Sequence, residues 1–167
     1  MVVSNGSKAI ARTIIAGALV AICALGYLAL RPEPLSAGQP LPQIAFRDAG
    51  NVVRSTDPRS KGALVIFFHP LCEHCAYELA MLDSAAGKFE KRKVYMLTTD
   101  DSLFTRGIAR RWPHLASIPS VTWGIVAKND FTAKFGTLVT PTAFLFDSSG
   151  KFVRRIKGET PPGNLVL

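Results

Sequence analysis

Residues 63–68 read ALVIFF, six apolar side chains in a row with β-branched and aromatic members and no polar interruption. A strand with one face in water alternates apolar and polar residues, because successive side chains point to opposite sides. An unbroken run instead suits a strand covered on both faces, inside a layered sheet. The run VYMLTT at 94–99 has the same character. Between the two, a helical pattern begins near Cys72, after Pro70, with Leu79, Leu82, Ala86 and Phe89 at helical spacing. Strand, helix, strand is a βαβ unit. The expected fold class is therefore α/β, a central mixed sheet flanked by helices.

The remaining elements extend that unit. QIAFRD and VVRST flank Gly50–Asn51, good turn chemistry for a small N-terminal hairpin. Asp101–Ser102 can start a helix running to about Arg111, which Trp112–Pro113 would stop. Asn129 can cap a short helix, DFTAKF, that Gly136 would end. TAFLF at 142–146 reads as a strand, DSSGK as a tight turn and FVRRIKG as the antiparallel partner.

The chemistry concentrates at 69–78, HPLCEHCAYE. Cysteine attacks as the thiolate, so a reactive cysteine needs surroundings that favour negative charge. At the start of a helix Cys72 would meet free backbone N–H groups and the positive end of the helix dipole. One turn on, Cys75 is near enough to close a disulfide with it. Cys72 then reads as the exposed nucleophile, and Cys75 as the buried thiol that resolves the mixed disulfide. His74, between them, could stabilise a Cys72 thiolate when protonated, while Glu73 pushes the other way. The same segment offers a second chemistry, since His69, Cys72, His74 and Cys75 are ligands suited to zinc or Cu(I). Nothing elsewhere supplies a second ligand cluster, and His114 after Pro113 reads as a surface loop residue. A Cys-x-x-Cys pair at a strand-to-helix junction favours electron exchange.

From these residues the chain resembles the membrane-anchored thioredoxin-like thiol–disulfide oxidoreductases of the TlpA/ResA type. The resemblance covers roughly residues 38–158. It rests on GQPLPQIAFRDAGN, LVIFFHPLCEHCAYE and FGTLVTPTAFLFDSSGKFVRRIKGE in that order. It implies a thioredoxin-like fold, no cofactor, a cis bond at Thr140–Pro141, and a Thr140 backbone that pairs with a substrate segment. It also implies that Glu78, three residues after Cys75, lies close to the disulfide and helps proton transfer. Exported proteins with thiols or disulfides are the implied substrates, apocytochrome c among them, with a membrane electron donor or acceptor as partner. The chain departs from the family in Leu71, where tryptophan is usual, and in a tail too short for the last helix. Peroxiredoxins share the fold but require threonine or serine three residues before the attacking cysteine and a proline four earlier. Here His69 and Val65 hold those places. A bare interaction module without catalysis would not need the intact pair or Thr140–Pro141.

Ahead of this region, residues 13–30, TIIAGALVAICALGYLAL, contain no charge. As a helix they would span roughly 27 Å, close to the hydrocarbon thickness of a bilayer. The run exceeds the apolar core of a cleaved signal, and Leu35 occupies a position where cleavage wants a small residue. Lys8 and Arg12 before it favour a cytoplasmic N-terminus. The expected organisation is a stub and signal-anchor over 1–31, a proline-rich linker over 32–40 and a thioredoxin-like domain over 41–167. That domain would face the periplasm or another extracytoplasmic space, where disulfides persist. Cys23, inside the run, reads as small apolar filler. Three basic residues, Lys8, Arg12 and Arg31, flank the run, so only about +5 of the formal +8 belongs to the remainder. Its basic residues are scattered and do not interleave with aromatics, which argues against nucleic-acid binding.

Overall fold

The computed structural model describes residues 5–29, 35–104 and 107–166, with side chains in the first stretch given only at 12 and 14–27. The chain divides into two units, Met1–Pro32 and Glu33–Leu167. In the first, α1 is a 25-residue helix, Asn5–Ala29. It holds all of the uncharged run except Leu30, which lies outside the described residues, as do Arg31 and residues 32–34 of the expected linker. Among the described residues, no helix is long and apolar enough to cross a membrane.

The second unit is built on a seven-stranded mixed sheet. Its strands are β1 (Ala45–Arg47), β2 (Val53–Ser55), β3 (Leu64–Phe67), β4 (Val94–Thr98), β5 (Val121–Val126), β6 (Thr142–Phe146) and β7 (Phe152–Lys157). They lie in the order β2-β1-β5-β4-β3-β6-β7. β3, β4 and β5 are parallel, and the other pairings are antiparallel. β1 and β2 pair with Phe46 opposite Arg54, across a turn in which the Asp48 carboxylate accepts the Gly50 and Val52 amides. Residues 35–40, read as linker, pack onto the sheet instead. Leu35 is buried, and Gly38 and Gln39 exchange backbone bonds with Phe152.

Every residue of β3 is buried, as its unbroken apolar run requires. Leu64 and Ile66 face one core, with Leu79 and Leu82 of α2 (Glu73–Ser84) and with Phe89 and Trp112. Val65 and Phe67 face the other, which is dominated by aromatics. There Phe131 of α5 (Lys128–Phe135) stacks on Phe67 at 4.1 Å and on Phe135 at 4.5 Å. Such ring pairs contribute about 0.5–1.5 kcal/mol each beyond their buried area. A 3₁₀ turn at Pro162–Leu165 sends Leu165 fully into the first core.

Three local expectations are corrected. The helix expected over 101–111 is only α3, Ile108–Arg111, since residues 101–104 are turn and 105–106 lie outside the described residues. The Asp100 carboxylate takes the Ser102 amide and hydroxyl, and Gly107 at φ 69° cannot continue a helix into α3. Pro113 starts a helix, α4 (Pro113–Ser117), because a first-turn proline loses no intrahelical bond. His114 therefore sits on α4, its Nδ1 2.8 Å from the Asp83 carboxylate. Ala127, not Asn129, occupies the cap position of α5, and no side chain bonds there. β5 was not foreseen at all.

Gly124 lets β5 approach the hairpin. A Cβ there would collide with the ring of Phe46, which is itself buried. Gly124→Ala should therefore destabilise the fold by about 1–3 kcal/mol through overpacking. A second change, Phe46→Leu, should recover part of that loss in urea unfolding. An unchanged midpoint for Gly124→Ala alone would show that this contact is not tight.

Candidate active site

β3 ends at Phe67, and residues 68–71 turn the chain into α2. Pro70 has no amide to extend the ladder and disfavours helix for the residue before it. Cys72 is the N-cap of α2 in extended conformation (φ −83°, ψ 121°), and its Sγ accepts the Cys75 amide at 3.3 Å. A thiol thus fills the place usually taken by a serine or aspartate oxygen. It lies at the free amides of the first turn. Leu71, beside it, is 61% exposed, and Val139 is 50% exposed.

The inner face of α2 carries Cys75, Glu78, Leu79 and Leu82 at helical spacing, and all four are buried. Cys75 is 0% exposed, while Cys72 is half-buried, and both are free thiols. Burial pushes the Cys75 thiol up to about 12, and the adjacent Cys72 sulfur adds to that. The His69 amide and the Thr140 hydroxyl pull it back. Cys72 can be reached from outside; Cys75 is a protonated, enclosed thiol beside it.

His69 organises the turn through both backbone and ring. Its amide donates to Cys75 Sγ at 3.5 Å, and its carbonyl accepts the Cys72 amide at 3.1 Å. Its Nδ1 accepts the Leu71 amide at 3.2 Å, and its Nε2 stands 3.6 Å from the Asp100 carboxylate. The Pro70 carbonyl accepts from Arg111, whose guanidinium lies over the Trp112 ring. Opposite, the Thr140–Pro141 bond is cis, and Pro141 is buried. Cys72, Cys75, Thr140 and Pro141 therefore converge on one place.

His74 and Glu78 lie on α2 in different surroundings. The His74 ring is exposed and pairs through Nδ1 with the Glu159 carboxylate. Glu78 is 1% exposed, and neither carboxylate oxygen has a hydrogen-bond partner. Burial raises its pKa to about 7. The Thr160 amide pulls the other way without completing a hydrogen bond, and Glu159 adds repulsion. The roles of His69 and of the 159–160 turn escape sequence reasoning, because they depend on residues far apart in the chain. The unusual His69–Pro70 before the pair is the one local signal of the first. Among the described residues, no group of three or more His, Cys, Asp or Glu is placed to hold a metal ion.

The raised Glu78 value sets a pH dependence. Between its ordinary value of 4.5 and about 7 the folded chain binds more proton than the unfolded one, so stability falls as pH rises through that window. Glu78→Gln should abolish the fall, leaving the variant up to about 3 kcal/mol more stable than wild type near pH 8 and nearly equal near pH 4. Urea unfolding at both pH values measures this. Equal pH slopes for the two proteins would mean that Glu78 ionises in a solvated state.

No family model matches the chain. It is 23% identical over 150 residues to the thiol-disulfide oxidoreductase ResA of Bacillus cereus, covering 87% of this chain and 83% of that protein. Among solved structures it is similar to a thio-disulfide isomerase from Thermus thermophilus, with TM-score 0.58, 20% identity and coverage of 78% and 92%. It is also similar to a putative thiol:disulfide interchange protein DsbE from Chlorobium tepidum, with TM-score 0.56, 20% identity and coverage of 78% and 91%. A peroxiredoxin-like protein from Aquifex aeolicus shares the fold at TM-score 0.62 and 14% identity, with coverage of 77% and 80%. A cysteine pair capping a helix beside a cis-proline thus stands on a thioredoxin-like fold, and over most of its length the chain is similar to thiol–disulfide oxidoreductases.

Proposed function

We propose that the chain reduces disulfides in exported proteins, apocytochrome c among them, from a tether on the cytoplasmic membrane. The observation that carries the chemistry is the asymmetry of the pair, with Cys72 reachable at a helix start and Cys75 enclosed and held protonated. The Cys72 thiolate attacks a substrate disulfide, forming the Cys72–substrate bond and releasing one substrate thiolate. Cys75 then loses its proton and attacks Cys72 Sγ, releasing the second substrate thiolate and closing Cys72–Cys75. Two electrons pass to the substrate, and a membrane electron donor must return them. Glu78, on the same helix face as Cys75, is the carboxylate assigned to take the Cys75 proton. Its value near neutrality suits that exchange. Thr140 beside Cys75, with exposed Leu71 and Val139 nearby in sequence to the two site segments, offers the substrate backbone and apolar contact.

The tether rests on the uncharged run at 13–30. Ile14, Ile15, Leu19, Val20, Ile22, Leu25 and Tyr27 are all exposed on α1, an apolar surface that a bilayer would cover. Lys8 and Arg12 before it orient the domain to the periplasm or extracytoplasmic space.

Expressed in cells, Cys75→Ser should accumulate mixed disulfides through Cys72, whereas Cys72→Ser should accumulate none. Equal trapping by both would reverse or erase the division of roles. The trapped species should stay with membranes after alkaline extraction, and their release would remove the tether. Direction is read from the reduction potential of the full-length protein equilibrated in thiol buffers. A value near about −270 mV is expected of a reductant, and one near about −120 mV would make the protein an oxidant.

A further inference from the structure

A cavity of about 920 Å³ opens on the edge of β5, lined by the β1–β2 hairpin, by β4 and β5, and by the segment that includes α3. That volume falls in the usual range of ligand sites. β1 covers β5 only at Ile125 and Val126. From Val121 to Gly124, β5 has β4 on one side and, among the described residues, no strand on the other. The Val94 amide bonds the Ser120 carbonyl at 3.0 Å, which fixes the alternation. Residues 120, 122 and 124 turn their peptide groups toward β4, so Trp123 turns its amide and carbonyl outward into the cavity.

One side-chain donor lining the same cavity wants an acceptor. The Lys93 ammonium bonds only the Thr122 hydroxyl, at 2.8 Å, and lies 5.5 Å over the Tyr95 ring. Among the described residues no carboxylate pairs with it. Burial and the nearby Arg54 charge disfavour its protonated form. Asp48 and Asp57 also line the cavity, but they are engaged by Arg54 and Arg59. The cavity therefore presents the open amide and carbonyl of Trp123 and, among the described residues, a cation without a carboxylate partner.

We propose that this groove binds a short, extended peptide segment bearing a carboxylate. The segment would add opposite Trp123 as an antiparallel strand in line with β1, with its carboxylate on Lys93. The open peptide groups call for an amide partner, and the unpaired ammonium calls for an acidic side chain. This site is separate from the cysteine pair and does not rest on the direction of electron flow. It is linked to that pair by packing, because Trp123 meets Phe68 edge-on at 5.7 Å just before the His69 turn.

Both tryptophans of the chain report on the groove, since Trp112 stacks on Trp123 at 5.9 Å. The full-length protein in detergent micelles is titrated with the peptide acetyl-Val-Thr-Glu-Thr-Val-amide, followed by tryptophan fluorescence and by calorimetry. Saturable binding is expected. Lys93→Met in the protein, or Gln for Glu in the peptide, should each weaken it by about tenfold or more, the worth of a hydrogen bond to a charged group. Alkylation of Cys72 should leave it unchanged. Absence of saturable heat and fluorescence change into the millimolar range would overturn the proposal. So would undiminished affinity in Lys93→Met or for the neutral peptide, or loss of binding on Cys72 alkylation, which would return the peptide to the catalytic site.

Discussion

The site depends on the end of β3. A strand buried on both faces has no freedom to shift register, because a one-residue slip would exchange the side chains of two cores. That fixed end delivers the chain through His69–Pro70–Leu71 to the first turn of α2, which the accessible Cys72 caps through its Sγ.

From that point α2 sorts its side chains by helical geometry alone. Cys75 and Glu78 fall on the face that carries Leu79 and Leu82 into the core, so both are taken out of water. For each group desolvation is the leading cause of the shift: it keeps Cys75 a thiol and brings Glu78 near neutrality. A buried carboxylate with two unsatisfied oxygens is costly to keep ionised. The two perturbed groups are three residues apart on one helix. The surrounding contacts, from the His69 amide, the Thr140 hydroxyl and the 159–160 turn, come from three separate segments. They modulate values that burial has already set.

Legibility followed the range of the forces. β3, α2, β4, β6 and β7 are visible in the chain because apolar runs, helical spacing and turn residues are local signals. The Cys72–Cys75 pair was visible because its spacing and its junction are local as well. α3 and α4 were misread, since Asp100 and Gly107 broke a helix that composition alone would continue, and Pro113 began one instead of ending one. β5 was missed although VTWGIV carries strand-forming residues, because Gly124 inside it is a strand-weakening signal until Phe46 is seen packed on it.

By itself the sequence determined the layered α/β class, the two thiols one helical turn apart and the charge-free stretch at 13–30, since each follows from neighbours along the chain. Tertiary structure alone decided that Glu78 is enclosed rather than solvated, that His74 answers to Glu159 rather than to Cys72, and that His69 holds the turn around both thiols. It also decided that β1 stops short of covering β5. Each of these depends on which distant segment arrives to exclude water or supply a partner, and no spacing within one segment encodes that.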